Sequence, residues 1–225
     1  AEAHEKSSAA YGVCFQNRCL PANREALSLV GQSKIYGAGG AVLWNRNKEY
    51  YASGAWRGKW NTEGGGVLIN QSIHTLDLLV NTLGEPLSVS AVMSNDHLKD
   101  VIEVEDRMQI LLKYPQFTAQ FTATTAAESS YPVFTVFYTD RGIIETRGDV
   151  LTVSGVETQS SKNARLSGKT EWGAGHDMLI ADFYDCIKSG RPINCDFRDC
   201  VSTMKTVFAA YESAKTGREV KPEEL

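Results

Sequence analysis

Six runs of β-favouring residues follow one another between Leu87 and Val153: LSVSAVMS, VEDRMQILLKY, FTAQFTATTA, PVFTVFYTD, GIIETRG and DVLTVSG. Tyr114-Pro115, Asp140-Arg141-Gly142 and Gly148-Asp149 punctuate them as turns. Connections this short leave no room for the crossovers that parallel neighbours require, so the sheet is expected to be largely antiparallel. Helical patterns flank the block. In GGGVLINQSIHTLDLLVNTLGEP, residues Ile69, Ile73, Leu76, Val80 and Leu83 recur on one helical face, with Gly84 and Pro86 as the stop. A shorter helix is expected over 21–30, and two more close the chain over 177–188 and 199–216, the last ending at Gly217. Residues 33–44 read as a further strand. The fold class is α+β: a largely antiparallel open sheet with helices packed on one face. Thr118, Gln120, Thr122 and Thr124 alternate onto the other face, whose small polar side chains suit flat packing in a homo-oligomer.

Composition narrows the function classes. The chain has 225 residues, enough for one large domain or two small ones, with 42% hydrophobic and 22% charged residues. No apolar run approaches the roughly 20 residues of a membrane span. A formal net charge of −4 offers no global basic field for nucleic acid. The five cysteines are an odd number in a chain too large to need staples, so reduced thiols and a cytoplasmic setting are expected. Cys14/Cys19 and Cys195/Cys200 lack the flanking Gly or His partners of a structural zinc pair, and no metal is expected. The opening AEAHEKSSAA has neither Met nor a signal segment, and AYGVCFQN reads as a strand following the end of a helix, so the chain is expected to start in mid-architecture.

Two motifs look more informative than they are. Gly37-Ala38-Gly39-Gly40 resembles the start of a dinucleotide turn, yet AVLW follows it, which reads as strand where that motif needs a helix. Glu5-Lys6-Ser7 reads as a solvated helix turn. Chemistry is better sought on the glycine-started helix. Asn70 and His74 are four apart and Asp77 three further, so in an α-helix they share a stripe bordering the core face, where a cleft wall would lie. An imidazole there suits proton transfer near neutral pH, although an ordinary half-buried histidine gives the same pattern. The triple glycine Gly64-Gly65-Gly66 points to close approach by a ligand or another domain, or to unusual dihedrals. The long segment 45–66 carries Trp56, Arg57, Lys59 and Trp60, a candidate aromatic and cationic wall or a surface loop with packed indoles. His176 stands at a second glycine-rich helix start, where capping is the competing role.

The stretch WRGKWNTEGGGVLINQSIHTLDLL from Trp56 resembles the signature of the glucose–fructose oxidoreductase and inositol dehydrogenase family of NAD(P)-dependent sugar and polyol oxidoreductases. Gly12 to Arg18, Val104-Glu105-Asp106, Gly175-His176 and AYESAKTG from Ala210 are similar to that family in shorter pieces. The resemblance implies a Rossmann domain followed by an α+β domain whose open sheet makes homo-oligomer contacts. Residues 1–17 then correspond to the tail end of the dinucleotide-binding domain and 18–225 to the substrate-binding and oligomerisation domain. NAD or NADP is implied for the intact enzyme; none is expected to bind this chain alone, because the family's cofactor turn and its Glu-Lys-Pro lysine would lie upstream of Ala1. His74 is implied as general acid/base. Asn70 stands where the family commonly has Asp, so it orients substrate without taking a proton, and Asn70→Asp is expected to be tolerated. Lys59, Trp56, Arg18 and His176 are expected to line the substrate pocket. The rival reading is a non-catalytic oligomerisation or ligand-binding module derived from the same family.

Overall fold

The computed structural model describes residues 6–7, 9–159 and 175–225. The expected reading of 1–5 as part of a helix, with Glu5 of the Glu5-Lys6 pair, lies outside the described residues, as does the polar stretch through Lys169.

One open sheet of eight strands organises the chain: β1 (Ile35–Leu43), β2 (Ser88–Ser94), β3 (Arg107–Lys113), β4 (Thr118–Thr124), β5 (Phe134–Thr139), β6 (Gly142–Arg147), β7 (Val150–Val153) and β8 (Val156–Glu157). Their order is β2-β3-β4-β1-β5-β6-β7-β8. Every pairing is antiparallel except β1 with β4, which run parallel with Gly40 opposite Phe121. The six runs therefore form strands as their pattern indicates, with β1 inserted at the centre from far upstream. Leu112, Ala119, Ala38, Phe137 and Ile144 make one inward row across five strands, and each is buried.

Helices α1 (Pro21–Gly31), α4 (Ile73–Leu83) and α6 (Val201–Thr216) cover that inner face. Leu68, Leu76, Leu79 and Val207 are fully buried against it. A Cβ on Gly40 would stand 3.2 Å from Leu79 Cδ1 and 3.1 Å from the Phe134 carbonyl, so glycine in the middle of β1 lets α4 sit against the sheet. This is the packing role of the GAGG run, which lies inside a strand. The opposite face carries Thr118 and Gln120 as expected, but also Val92, Leu111, Tyr138 and Ile143, each more than 40% exposed.

Three local expectations need correction. Residues 10–15 form no strand: Val13 N–H reaches only the Cys195 carbonyl, and the chain then turns through a 3₁₀ segment at Gln16–Cys19. The long connection 45–66 is partly helical, with α2 (Lys48–Ala52) and α3 (Trp60–Glu63), and Tyr51 and Trp60 pack with Leu98, Ile102 and Val104 into a small second core. Finally, the glycine-started helix is α-helical only from Ile73; Val67–Ser72 is a π-helical segment. Helix α5 (Gly175–Ser189) completes the set.

The triple glycine is explained within the domain. A Cβ on Gly66 would meet the Glu105 carbonyl at 2.0 Å, and one on Gly65 the Tyr211 hydroxyl at 2.0 Å. The approaching groups thus belong to this chain. Glu105 accepts from the N–H groups of Gly66 (2.8 Å) and Leu68 (3.0 Å) and from the Tyr211 hydroxyl (2.8 Å), clamping the start of the π segment between β3 and α6. Burial raises the Glu105 pKa, and these donors pull it back down.

Candidate active site

A cleft of about 540 Å³ opens where the 3₁₀ turn, the π-to-α junction, the start of α5 and the β6–β7 turn meet. His74 and His176 both line it, with Asn17, Asn23, Trp44, Gln71, Tyr131, Arg147 and Asp149 among the polar and aromatic wall. The wall is mostly apolar with a few polar groups set into it, the make-up of a small-molecule cleft.

His74 occupies the first turn of α4 and meets Phe15 edge to face at 5.7 Å. Burial lowers its pKa below the ordinary 6.5; Asp77 opposes that shift and His176 adds to it. The imidazole is therefore neutral at physiological pH. Its Nδ1 is buried with no hydrogen-bond partner, as are Gln71 Oε1 and Asp149 Oδ2 in the same wall. Unmade hydrogen bonds of buried groups are costly, and their clustering in one cleft marks it as the place for a polar ligand. Burial also raises the Asp149 carboxyl above its usual range.

His176 is brought to the cleft because Gly175 allows close approach: a Cβ there would lie 2.2 Å from the Gln16 carbonyl. The other sequence candidates go elsewhere. Asn70 donates its amide to Glu63, whose second oxygen accepts from Gly58 N–H, and it does not line the cleft. Asn70 lies in the π-helical segment and His74 in the first turn of the α-helix that follows. Asp77 is fully buried rather than bordering the core. Arg18 binds it in a fork, Nε to Oδ2 at 2.7 Å and Nη2 to Oδ1 at 2.5 Å, and Thr203 Oγ donates to Oδ1 at 2.7 Å. Arg18 thereby ties the 3₁₀ turn to α4 and α6. Lys59 is an exposed residue at the N-terminal boundary of α3, and Trp56 is 45% exposed against Arg57; neither lines the cleft.

Sequence reasoning missed Gln71, Trp44, Asn17, Asn23 and Asp149. Gly148-Asp149 is legible as a turn, but only the sheet order shows which end of the molecule that turn faces.

The sequence profile of the oxidoreductase family's C-terminal alpha/beta domain matches residues 41–221. The chain belongs to the Gfo/Idh/MocA oxidoreductase family. Its fold is that of the WlbA dehydrogenase from Bordetella pertussis, solved with NADH and UDP-GlcNAcA, at a TM-score of 0.83 and 21% identity over 98% of this chain. An oxidoreductase from Agrobacterium radiobacter, solved with NAD+, L-tartaric acid and magnesium, gives 0.81 and 18% over 98%. Levoglucosan dehydrogenase, solved with NADH and levoglucosan, gives the same two values over 98%. This chain spans 66%, 67% and 68% of those three proteins, respectively. No curated protein sequence matches it. In this Gfo/Idh/MocA domain, no described helix is long and apolar enough to cross a membrane, and no described group of three His, Cys, Asp or Glu is arranged to hold a metal ion.

Proposed function

We propose that this chain is the substrate-binding part of an NAD(P)-dependent oxidoreductase that interconverts a hydroxyl and a carbonyl on a sugar, polyol or related small molecule. In this reading residues 18–225 form the substrate and oligomer domain, and 1–17 are the tail of a nucleotide-binding domain. One observation carries it: a neutral, largely buried His74 with an unpartnered ring nitrogen in the wall of a cleft, in a chain of this family. The sugar and nicotinamide complexes of WlbA and levoglucosan dehydrogenase support the substrate class.

The described residues do not fit a dinucleotide: GAGG lies inside β1, and no strand–glycine turn–helix unit offers amides to a pyrophosphate. The nicotinamide is assigned to a separate domain. What this chain does is move the proton. The neutral imidazole of His74 accepts the substrate hydroxyl proton during oxidation and returns it during reduction. His176, Gln71 and Asn17 orient the substrate in the cleft. Asn70, through Glu63 and Gly58, holds the loop beside the π segment. The open sheet face receives a second copy of the domain.

The test is His74→Ala in a protein that includes the nucleotide-binding domain. Turnover of a sugar or polyol substrate should fall by at least about 10², the usual effect of losing a general base, while nicotinamide affinity is unchanged. Near-normal turnover would return His74 to the status of an ordinary helix histidine and favour a non-catalytic module.

A further inference from the structure

The segment between β1 and α3 carries two arginines stacked on one tyrosine. The Arg46 guanidinium carbon lies 4.7 Å from the Trp44 ring centre and 4.8 Å from that of Tyr50. The Arg57 guanidinium carbon lies 4.3 Å from Tyr50 and 4.4 Å from Trp56. Aromatic and cation thus alternate from Trp44 through Arg46, Tyr50 and Arg57 to Trp56. The Tyr50 hydroxyl is fixed in the middle, accepting from Arg57 Nη1 at 2.5 Å and from Gln71 Nε2 at 3.2 Å.

Stacking on rings is a common way to hold an arginine. Two features here go beyond it. Both guanidiniums stack on one ring, and among the described residues neither forms an ion pair with a carboxylate. Glu63, the acid of α3, is already engaged by Asn70 and Gly58. Second, Arg46 Nη1 donates to the Asn45 carbonyl at 2.8 Å, while its Nε is buried with no acceptor. Two arginine forks with no carboxylate partner and a donor with no acceptor describe the complement of an oxyanion. The array is joined to the cleft at two points, because Trp44 and Gln71 both line it.

We propose that Arg46, Tyr50 and Arg57 form an oxyanion subsite beside the cleft, behind Trp44 and Gln71 of its wall, which takes the carboxylate or phosphate group of an acidic sugar-like ligand. This rests on reading the cleft as a substrate site, but binding can be measured without any turnover.

The experiment titrates the purified chain at low ionic strength with D-glucuronate, D-glucose 6-phosphate, inorganic pyrophosphate and D-glucose, following tryptophan fluorescence and calorimetric heat. At least one of the three anions should bind tenfold or more tightly than glucose; glucuronate against glucose 6-phosphate tells carboxylate from phosphate. Arg57→Gln and Arg46→Lys should each weaken that anion at least fivefold, and Arg107→Gln, an exposed arginine of β3 away from the cleft, should leave it unchanged. In the unsubstituted protein, the bound anion should slow phenylglyoxal modification of Arg46 and Arg57, read by peptide mass, where glucose does not. That second measurement stands even if a variant fails to fold. The proposal is overturned if no anion outbinds glucose, or if the anion binds without protecting these two arginines. Anion binding in a protein whose His74→Ala variant retains full turnover would instead sink the acid/base reading and keep the subsite.

Discussion

His74 and Asp77 lie one turn apart on α4, both polar and both largely withdrawn from water, yet they are treated in opposite ways. Asp77 is fully buried and has every demand met, with a forked bond from Arg18 and a hydroxyl from Thr203. His74 has a ring nitrogen with nothing to bond to, beside other unpartnered groups of the same cleft. A satisfied buried charge joins elements, here the 3₁₀ turn, α4 and α6. An unsatisfied polar group lowers stability and is retained where a ligand completes it. The contrast divides a stripe that looks uniform in sequence into a structural half and a chemical half.

The strongest way to break this division is at the ion pair. Arg18→Ala strands the Asp77 charge in the core and should lower unfolding free energy by about 3–5 kcal/mol, measured by urea denaturation. If stability held and substrate affinity fell instead, Arg18 would be the pocket residue that its position in the sequence suggests. His74→Ala sharpens the other half: it should cost turnover at least about 10² and leave stability within about 1 kcal/mol, because no protein hydrogen bond is lost at Nδ1. An equally large loss of stability would show that the two residues belong to one structural unit.

The pH dependence separates them further. Burial lowers the folded-state pKa of His74 below 6.5, so the unfolded chain binds more protons as pH falls past that value. The contribution of this histidine is complete above the ordinary histidine range and is lost on acidification through it. Melting temperature should therefore fall with pH below about 6.5 more steeply in the unsubstituted protein than in His74→Gln. Identical slopes would place the imidazole in solvent. The smallest effect is expected at Asn70. The family resemblance makes aspartate acceptable there, yet in this chain the side chain faces Glu63. Asn70→Asp sets two carboxylates together and should cost about 1 kcal/mol at neutral pH, less in acid. An unchanged melting temperature would show that the Glu63 contact is dispensable.

How much of this was legible beforehand follows the range of the interactions. The strands β2 to β7 were readable because alternation of period two and turn residues are local signals, and α4 and α6 because their apolar repeats and glycine stops are local as well. His74 was readable as a candidate through its helix and its family signature. The π segment was not, and neither was its N-terminal anchor: Glu105 accepts the Gly66 and Leu68 N–H groups from 39 and 37 residues away, a partner that no local signal names. Asp149, Trp44 and Gln71 were likewise silent, since nothing near them in the chain indicates that one turn of the sheet faces the start of a distant helix.

The sequence by itself determined the class of fold, the antiparallel strand run, the principal helices and the membership in an oxidoreductase family, because each rests on periodicity or on a contiguous motif. Only the tertiary structure decided the place of β1 at the sheet centre, the pairing of Arg18 with Asp77 and the membership of the cleft. Those outcomes depend on which distant groups satisfy one another's buried hydrogen bonds and charges. That is a competition among residues far apart in the chain, such as Asp77 and Thr203 at 126 positions, and no local pattern encodes it.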